Sequence, residues 1–169
     1  MRRGDTRMTR EEELRIHRCC IAGTRPEELC CSEAAAKRVL EAELRRAVGD
    51  GIRTFLTGMS RGVGIWAGQI VLGLRGTNLD VRLVAVSPFR GVEETWSPLW
   101  QRQYRHVIAW ADAVRYISPE FDYEVFRRRN EWMIDRSNLV IAFDRGPNDA
   151  IRYAQSRGAE VRNLAERLA

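Results

Sequence analysis

Short apolar runs alternate with longer segments in which apolar residues recur at helical spacing, from residue 18 to the end of the chain. The runs typical of strands are 18–23, 53–58, 81–88, 113–118, 138–144 and the short 159–164. The segments with helical spacing are 32–51, 63–74, 97–111, 122–137 and 147–158. This alternation predicts an α/β fold with a mainly parallel sheet covered by helices on both faces.

The pattern also divides the chain. Residues 1–17 are charged and show no clear core pattern, so we expect a frayed extension in which "TREEELRI" forms a short helix. Residues 18–169 contain no internal repeat, low-complexity segment or linker, which predicts a single domain. Ser32 and Ser97 are placed to cap two of its helices.

Composition fits a globular protein. Hydrophobic residues make up 44% of the 169 residues and charged residues 30%. The apolar runs are too short to span a bilayer, and the N-terminus lacks the apolar core of a signal peptide, so we expect a cytoplasmic protein without a membrane partner. The net charge of +5 favours phosphorylated ligands or polyanions in general, but its dispersed arginines do not establish nucleic-acid binding.

The cysteines come as two adjacent pairs, Cys19-Cys20 and Cys30-Cys31. Disulfides are not expected in a reducing compartment. Adjacent cysteines on a strand point to opposite faces, which suits a zinc site poorly even with His17 close by. We therefore predict no metal site and interpret Cys19 or Cys20 as a small buried strand residue.

Ligands of parallel α/β sheets bind at the carboxyl ends of the strands. The candidate site is therefore formed by the loops 23–31, 57–63, 87–96, 118–122 and 143–148. In the first loop, Gly23 permits close approach of a ligand, Arg25 is suited to a phosphate or carboxylate, and Pro26 stiffens the turn. The alternative for Arg25 is an ordinary position on a surface turn.

The second loop opens the stretch "TGMSRGVGIWAGQIVL" (57–72). Gly58 and Gly62 bracket a turn between strand and helix, where unpaired N–H groups and the helix dipole favour anions, and Ser60 adds a hydroxyl. The spacing matches neither the P-loop nor GxGxxG, so a tight turn alone remains the alternative. We predict that Trp66 packs in the core.

Two further regions supply candidate ligand contacts. Phe89 is the aromatic residue of the third loop, and Glu93 is suited to a ribose hydroxyl or to general-base chemistry, with a solvated position as the alternative. Arg129 and Asn130, with Met133 one turn later, suggest a polar cluster over the sheet edge. His106 stands alone on its helix, so we expect no histidine-based catalysis.

The ordered motifs "CCIAGTRPEEL", "FLTGMSRGVGIWAGQIVL", "VSPFRGVEETWS", "QYRHVIAWADAVRYIS", "FRRRNEWMIDRSNLVIAFD" and "YAQSRGAEV" resemble the YpsA-like branch of the SLOG superfamily. The resemblance covers about residues 18–163 and implies a Rossmann-like three-layer sandwich that binds nucleotides or nucleotide-derived ligands. Its relatives include LOG-type nucleotide phosphoribohydrolases, DprA-type DNA-processing proteins and sensors of signalling nucleotides.

The departures from this pattern affect the residues best suited to chemistry. Thr24 stands where the branch has histidine, Gly64 where it has aspartate, Gln69 where it has glutamate and Val92 where it has glutamine. The segment "DRGPNDA" replaces a Gly-Gly-Thr turn. We predict no catalytic residue and no cofactor, and a ligand-binding set of Gly23, Thr24, Arg25, Pro26, Gly58, Met59, Ser60, Gly62, Phe89, Glu93, Arg129, Asn130, Asp144 and Gly146.

The leading hypothesis is a non-catalytic domain that binds a nucleotide or ADP-ribose-type molecule as a sensor or a sequestering protein. Three alternatives stay open: a LOG-like hydrolase that uses Glu93, a DprA-like binder of single-stranded nucleic acid, and a degenerate paralogue that acts through protein contacts. The tryptophans on or beside the third and fourth helices suggest a homo-oligomer, and the resemblance implies the same because relatives often self-associate.

Overall fold

A computed structural model describes residues 8–146 and 148–168 of the protein. The strands are β1 (Arg18–Ala22), β2 (Thr54–Thr57), β3 (Arg82–Phe89), β4 (Ala113–Ser118), β5 (Leu139–Ala142) and β6 (Glu160–Asn163). The helices are α1 (Arg10–Arg15), α2 (Glu33–Gly49), α3 (Val63–Gly76), α4 (Pro98–Trp110), α5 (Val125–Asp135) and α6 (Asp149–Ser156). The predicted elements are all present, with ends displaced by a few residues. In the described part of the chain no helix is both long enough and apolar enough to cross a membrane.

All six strands join one sheet in the order β4-β3-β2-β1-β5-β6, and every neighbouring pair is parallel. The predicted α/β fold is therefore confirmed as a Rossmann-like arrangement. The chain proceeds from β1 outward to β4 and then crosses to β5 on the other side. This reversal separates the loops that follow β1 and β5, which is where doubly wound sheets commonly bind ligands.

The sheet separates two apolar layers. Helices α2, α3 and α4 cover one face, and α5 and α6 cover the other. Side chains of β1 alternate between them: Cys19 and Ile21 belong to the larger core cluster, Cys20 and Ala22 to the smaller. The buried cysteines predicted for this strand are confirmed, and no group of three potential metal ligands occurs within residues 8–146 and 148–168.

The short helix predicted in "TREEELRI" is present as α1. Its start is a capping box in which Thr9 and Glu12 each accept the other's backbone N–H. The carbonyl of Arg15 accepts from Asn138, and its guanidinium donates to the Ser137 carbonyl, so α1 is attached beside β5. The frayed extension is predicted over residues 1–17. Residues 8–17 are described and include the capped helix α1, and residues 1–7 lie outside the described residues.

A buried carboxylate joins α2 to the last part of the chain. The Glu43 side chain is only 1% exposed, and its two oxygens accept from Arg162 at 2.9 Å and Arg167 at 2.5 Å. Burial alone raises the pKa of Glu43, but the two arginine hydrogen bonds outweigh burial and hold that pKa below its ordinary value. Arg162 also pairs with Asp50 and Glu160, which makes the contact a network rather than a single pair.

Candidate functional site

A cleft of about 420 Å³ opens at the carboxyl ends of the first three strands, beside the start of α5. It is lined by Gly23, Arg25, Glu28, Met59, Ser60, Arg61, Pro88, Val92, Trp96, Phe126 and Arg129. Five of these residues belong to the predicted binding set: Gly23, Arg25, Met59, Ser60 and Arg129. The position agrees with the general location of ligand sites in parallel α/β sheets.

The turn before α3 has a fixed and unusual backbone. Met59 adopts the left-handed conformation with φ 61°, although its side chain is fully buried, and Gly62 has φ 84°. A bulky residue is rarely found at such a φ, and the surrounding packing must hold it there. Val63 donates its N–H to the Thr24 carbonyl and thereby ties this turn to the loop after β1.

At the start of α3, only some of the backbone N–H groups lack a hydrogen-bond acceptor among the described residues. Those of Val63 and Ile65 are bound by the carbonyls of Thr24 and Ser60, so the anion site predicted from the helix start is smaller than a complete N-terminus. The backbone N–H groups of Ser60, Arg61, Gly62 and Gly64 have no acceptor within the described part of the chain.

The absence of a side chain at Gly23 keeps the Gly64 N–H and the Ser60 hydroxyl accessible. A Cβ at Gly23 would lie 2.5 Å from the Ser60 hydroxyl oxygen and 2.9 Å from the Gly64 nitrogen. Any larger residue would therefore displace the hydroxyl and block the amide. The close approach of two loops is the physical reason for glycine at this position.

Arg129 is the most informative residue of the cleft. It is only 8% exposed, and no carboxylate pairs with it in the described part of the chain. Its Nη1 donates to the Gly58 carbonyl at 3.0 Å and its Nε to the Asn130 side-chain oxygen at 3.2 Å, while Nη2 has no acceptor among the described residues. Burial lowers the pKa of Arg129 to about 10, which leaves the group charged at neutral pH.

Gly58 accommodates this arginine. A Cβ at Gly58 would lie 2.9 Å from the Arg129 Nε, so the guanidinium occupies the space that a side chain would need. Gly58, Arg129 and Asn130, three residues of the predicted ligand-binding set, therefore form one contact group. A buried cation bonded only to neutral groups is expensive in the absence of a compensating charge.

The remaining cations of the rim are paired. Arg25 contacts Glu28, and Arg61 contacts Glu27, with all four side chains partly or largely exposed. The hydrogen bond that Arg25 donates to Glu28 raises the pKa of Arg25. Exposed pairs of this kind contribute little stability, so an incoming anion can replace the carboxylate at small expense.

The structure places three further predicted residues outside the cleft. Thr24 donates its hydroxyl to the Phe143 carbonyl at 2.7 Å and lies 3.4 Å from an Asp144 oxygen, so this contact joins the loops that follow β1 and β5. Asp144 and Gly146 line a separate depression with Asn163. Burial raises the pKa of Asp144.

Other predicted residues support the cleft or face away from it. Pro26 packs against Gly62. Phe89 lies beneath two other aromatic rings. Glu93 lies 3.6 Å from Arg105, and its other oxygen is buried with no hydrogen-bond partner among the described residues. Met133 belongs to the smaller core cluster instead of a polar cluster.

Gln69 is placed away from the site. It lines a depression between α3 and α4 with His106 and Trp110. A glutamate at this position would therefore add no acid to the cleft, and our interpretation of Gln69 as the remnant of a catalytic acid finds no geometric support. Trp66 packs in the larger core cluster as predicted.

Gly64 lies beside the cleft and is constrained by Ser60, because a Cβ at Gly64 would lie 2.7 Å from the Ser60 hydroxyl oxygen. We expect the destabilisation caused by Gly64→Asp to be relieved when Ser60→Ala is added, with a coupling free energy of about 1 kcal/mol or more. Urea unfolding of the two single variants and the double variant measures this coupling. Additive effects would show that the two side chains do not compete for this space.

Sequence reasoning missed several lining residues. Trp96, Phe126, Pro88 and Val92 line the cleft but are not in the predicted ligand-binding set. One usable signal was present for Phe126, which precedes Arg129 by three residues and so shares its side of α5. Val92 and Trp96 depend on how the loop after β3 folds back over the cleft, which local patterns do not specify, whereas Pro88 lies within the end of β3 itself.

Comparison with known proteins agrees with this arrangement. A family model described as the YspA SLOG family matches residues 19–163. A UPF0398 protein of Shouchella clausii is 28% identical over 144 residues, covering 79% of this chain and 77% of that protein. A UPF0398 protein of Halalkalibacterium halodurans is 27% identical over 112 residues, covering 64% of this chain and 59% of that protein.

A solved structure also shares the fold. DNA processing protein A from Helicobacter pylori, whose structure was described for its single-stranded DNA binding mode, gives a TM-score of 0.60 at 17% identity. The superposition covers 91% of this chain and 67% of that one. Because the family model spans the sheet from β1 to the end of β6, the protein belongs to the YspA SLOG family.

Proposed function

We propose that the cleft binds the phosphate of a nucleotide or an ADP-ribose-type molecule and holds it without turnover, in a sensor or sequestering role. The observation that carries this proposal is Arg129, a buried cation at the cleft wall with no carboxylate partner within the described residues. A buried charge without a partner destabilises the folded protein. An anionic ligand supplies the missing partner.

The surroundings of Arg129 favour phosphate over other anions. Ser60 and Arg61 line the same cleft, and their backbone N–H groups have no acceptor among the described residues; Ser60 adds its hydroxyl. Phosphate oxygens accept several hydrogen bonds at once, and helix starts bind them well. Arginine adds donors in a planar fork that matches phosphate geometry.

The cleft offers little for hydrolysis. Glu28 is the one acid among its described lining residues, and it is held at the rim by Arg25. Glu93, the acid of the hydrolase alternative, faces Arg105 and does not line the cleft. A general acid or base has to be within hydrogen-bond reach of the reacting group, so this geometry supports binding without N-glycosidic cleavage.

Binding without turnover gives a direct test. We expect ADP-ribose, cyclic ADP-ribose isomers, NAD, nucleoside monophosphates and cyclic dinucleotides to include a ligand that raises Tm by roughly 5–10 °C at a hundredfold excess over Kd. Mass spectrometry of the incubated ligand is expected to find it intact. Absence of stabilisation by any of these compounds, or release of a free base, would contradict the proposal.

A second candidate function is binding of single-stranded DNA, favoured by the shared fold with DNA processing protein A. The net charge of +5 is compatible with it. Such binding weakens steeply as salt rises, because each phosphate contact releases counterions. Titration of a labelled oligonucleotide at increasing salt, beside the nucleotide titrations, distinguishes the two candidates.

A further inference from the structure

Three large aromatic side chains are exposed in the segment that leads from β4 into α5. Phe121 is 52% exposed, Tyr123 95% and Phe126 42%. We call these three residues the aromatic shelf. Single exposed apolar residues are common on proteins, but three aromatic rings within six residues form a patch that is typical of a contact surface.

The shelf is internally packed and supported from below. The Phe121 and Tyr123 rings lie 5.5 Å apart between centroids. Phe89 underlies the group, with its centroid 5.9 Å from Phe121 and 6.4 Å from Phe126, and both contacts are edge-to-face. The contacts with Phe89 restrict the Phe121 and Phe126 rings, so part of the conformational entropy of these two side chains is already lost before a ligand binds.

The shelf continues into the phosphate side of the cleft. Phe126 lines the cleft, and the Arg129 guanidinium lies 5.5 Å from its ring centroid. Trp96 lines the same cleft and adds a second aromatic wall. A ligand with an anionic group at one end and an aromatic ring at the other can therefore contact Arg129 with the first and the aromatic side chains with the second.

The charges around the shelf favour a small ligand over a polynucleotide. Arg127 pairs with Glu124 and Glu131, and Arg128 pairs with Asp122. These basic groups are neutralised locally, whereas a groove that follows a nucleic-acid backbone needs unpaired positive charge along its length.

We propose that the aromatic shelf stacks against the nucleobase of the ligand whose phosphate is held by Arg129. This inference rests on the proposed function and assigns to Phe121, Tyr123 and Phe126 the recognition of a base. Stacking is tolerant of base identity, because every base has a π face. The shelf is therefore expected to discriminate strongly between nucleotides and sugar phosphates, and only weakly between nucleotides with different bases.

The test compares AMP with ribose 5-phosphate, which carries the same phosphate and sugar without the base. We expect AMP to bind the full chain about tenfold more tightly or better in calorimetric titrations. Tyr123→Ala and Phe121→Ala are expected to bring the ratio of the two affinities towards one. Trp110→Ala is the matched control, because Trp110 is 62% exposed but lies at the depression between α3 and α4, and we expect it to keep the ratio.

The outcomes separate this inference from the proposed function. If ribose 5-phosphate binds and AMP binds no more tightly, the stacking role is overturned and phosphate binding stands. If neither compound binds, the stacking role is overturned, and the proposed function fails with it only when no compound of the nucleotide panel stabilises the protein. If Tyr123→Ala changes the mass of the protein in light scattering but not the affinity ratio, the shelf is a contact between copies of the chain and the stacking role is again overturned. Tighter binding of an oligonucleotide with a steep salt dependence would replace the small ligand by a nucleic-acid strand.

Discussion

Arg129→Met is expected to reduce nucleotide affinity by at least about thirtyfold, because a charge-assisted contact to a buried group is worth roughly 2–5 kcal/mol. Methionine fills a similar volume but supplies no donor to a phosphate. Without ligand, the variant is expected to be no less stable than the natural protein, because it removes a buried cation that has no carboxylate partner among the described residues. The loss of the hydrogen bond to the Gly58 carbonyl partly offsets this gain. Calorimetric titration and urea unfolding measure the two effects separately.

Arg128→Met is the matched control for this experiment. Arg128 is the preceding residue of α5, but its side chain is exposed and pairs with Asp122. We expect its affinity for the ligand and its free energy of unfolding to change little. Equal loss of affinity in both variants would point to a general charge effect, and retention of affinity by Arg129→Met would place the phosphate elsewhere.

Glu43→Ala is expected to lower the free energy of unfolding by about 3 kcal/mol, because it leaves two arginines at a buried position with fewer partners. This loss of stability is at the lower end of the range for breaking a buried ion pair, because Arg162 keeps its contacts with Asp50 and Glu160 and Arg167 is partly exposed. Glu41→Ala on the same helix removes an exposed pair with Arg45 and is expected to change stability by less than about 0.5 kcal/mol. Equal effects of the two substitutions would contradict the importance of the network.

The Glu43 effect is also expected to depend on pH. The pKa of Glu43 is lower in the folded protein than in the unfolded chain, so the folded state favours the ionised form. The stabilisation is complete above the ordinary glutamate pKa and is lost as pH falls through the lower folded value. The difference in stability between the natural protein and Glu43→Gln is therefore expected to shrink on acidification, as measured by urea unfolding at several pH values.

The fold could be predicted from local patterns because each pattern has a local cause. Ser32 caps α2 by accepting a hydrogen bond from the Ala35 N–H, as its sequence position suggests, whereas Ser97 stands at the start of α4 without a side-chain capping hydrogen bond. The adjacent cysteines of β1 separate into two cores because strand side chains alternate. Glu43 was missed because it follows the apolar face of α2, and only the approach of Arg162, more than a hundred residues later, explains its burial.

The candidate site could be predicted only in part. Gly58, Gly62 and Arg129 are all predicted ligand contacts, but only Arg129 lines the cleft. Gly58 leaves the space that the Arg129 side chain occupies, and Gly62 lies against Pro26. Asp144 and Gln69 were assigned to the ligand site or its chemistry from motif positions alone. Asp144 lies beyond the Thr24 contact with the end of β5 and lines a separate depression. Gln69 lies on the side of α3 that faces α4, away from the cleft.

Because Cys19 and Cys20 lie on opposite faces of β1, their thiol reactivity can be used to measure local unfolding of the two helical layers. Both thiols are fully buried, and burial raises the pKa of Cys20 to about 12, so neither reacts while the sheet is covered. Cys19 becomes reactive when the layer of α2, α3 and α4 separates, and Cys20 when the layer of α5 and α6 does. Two neighbouring residues thus report independently on local opening of the two layers, one of which carries the Arg129 side of the cleft.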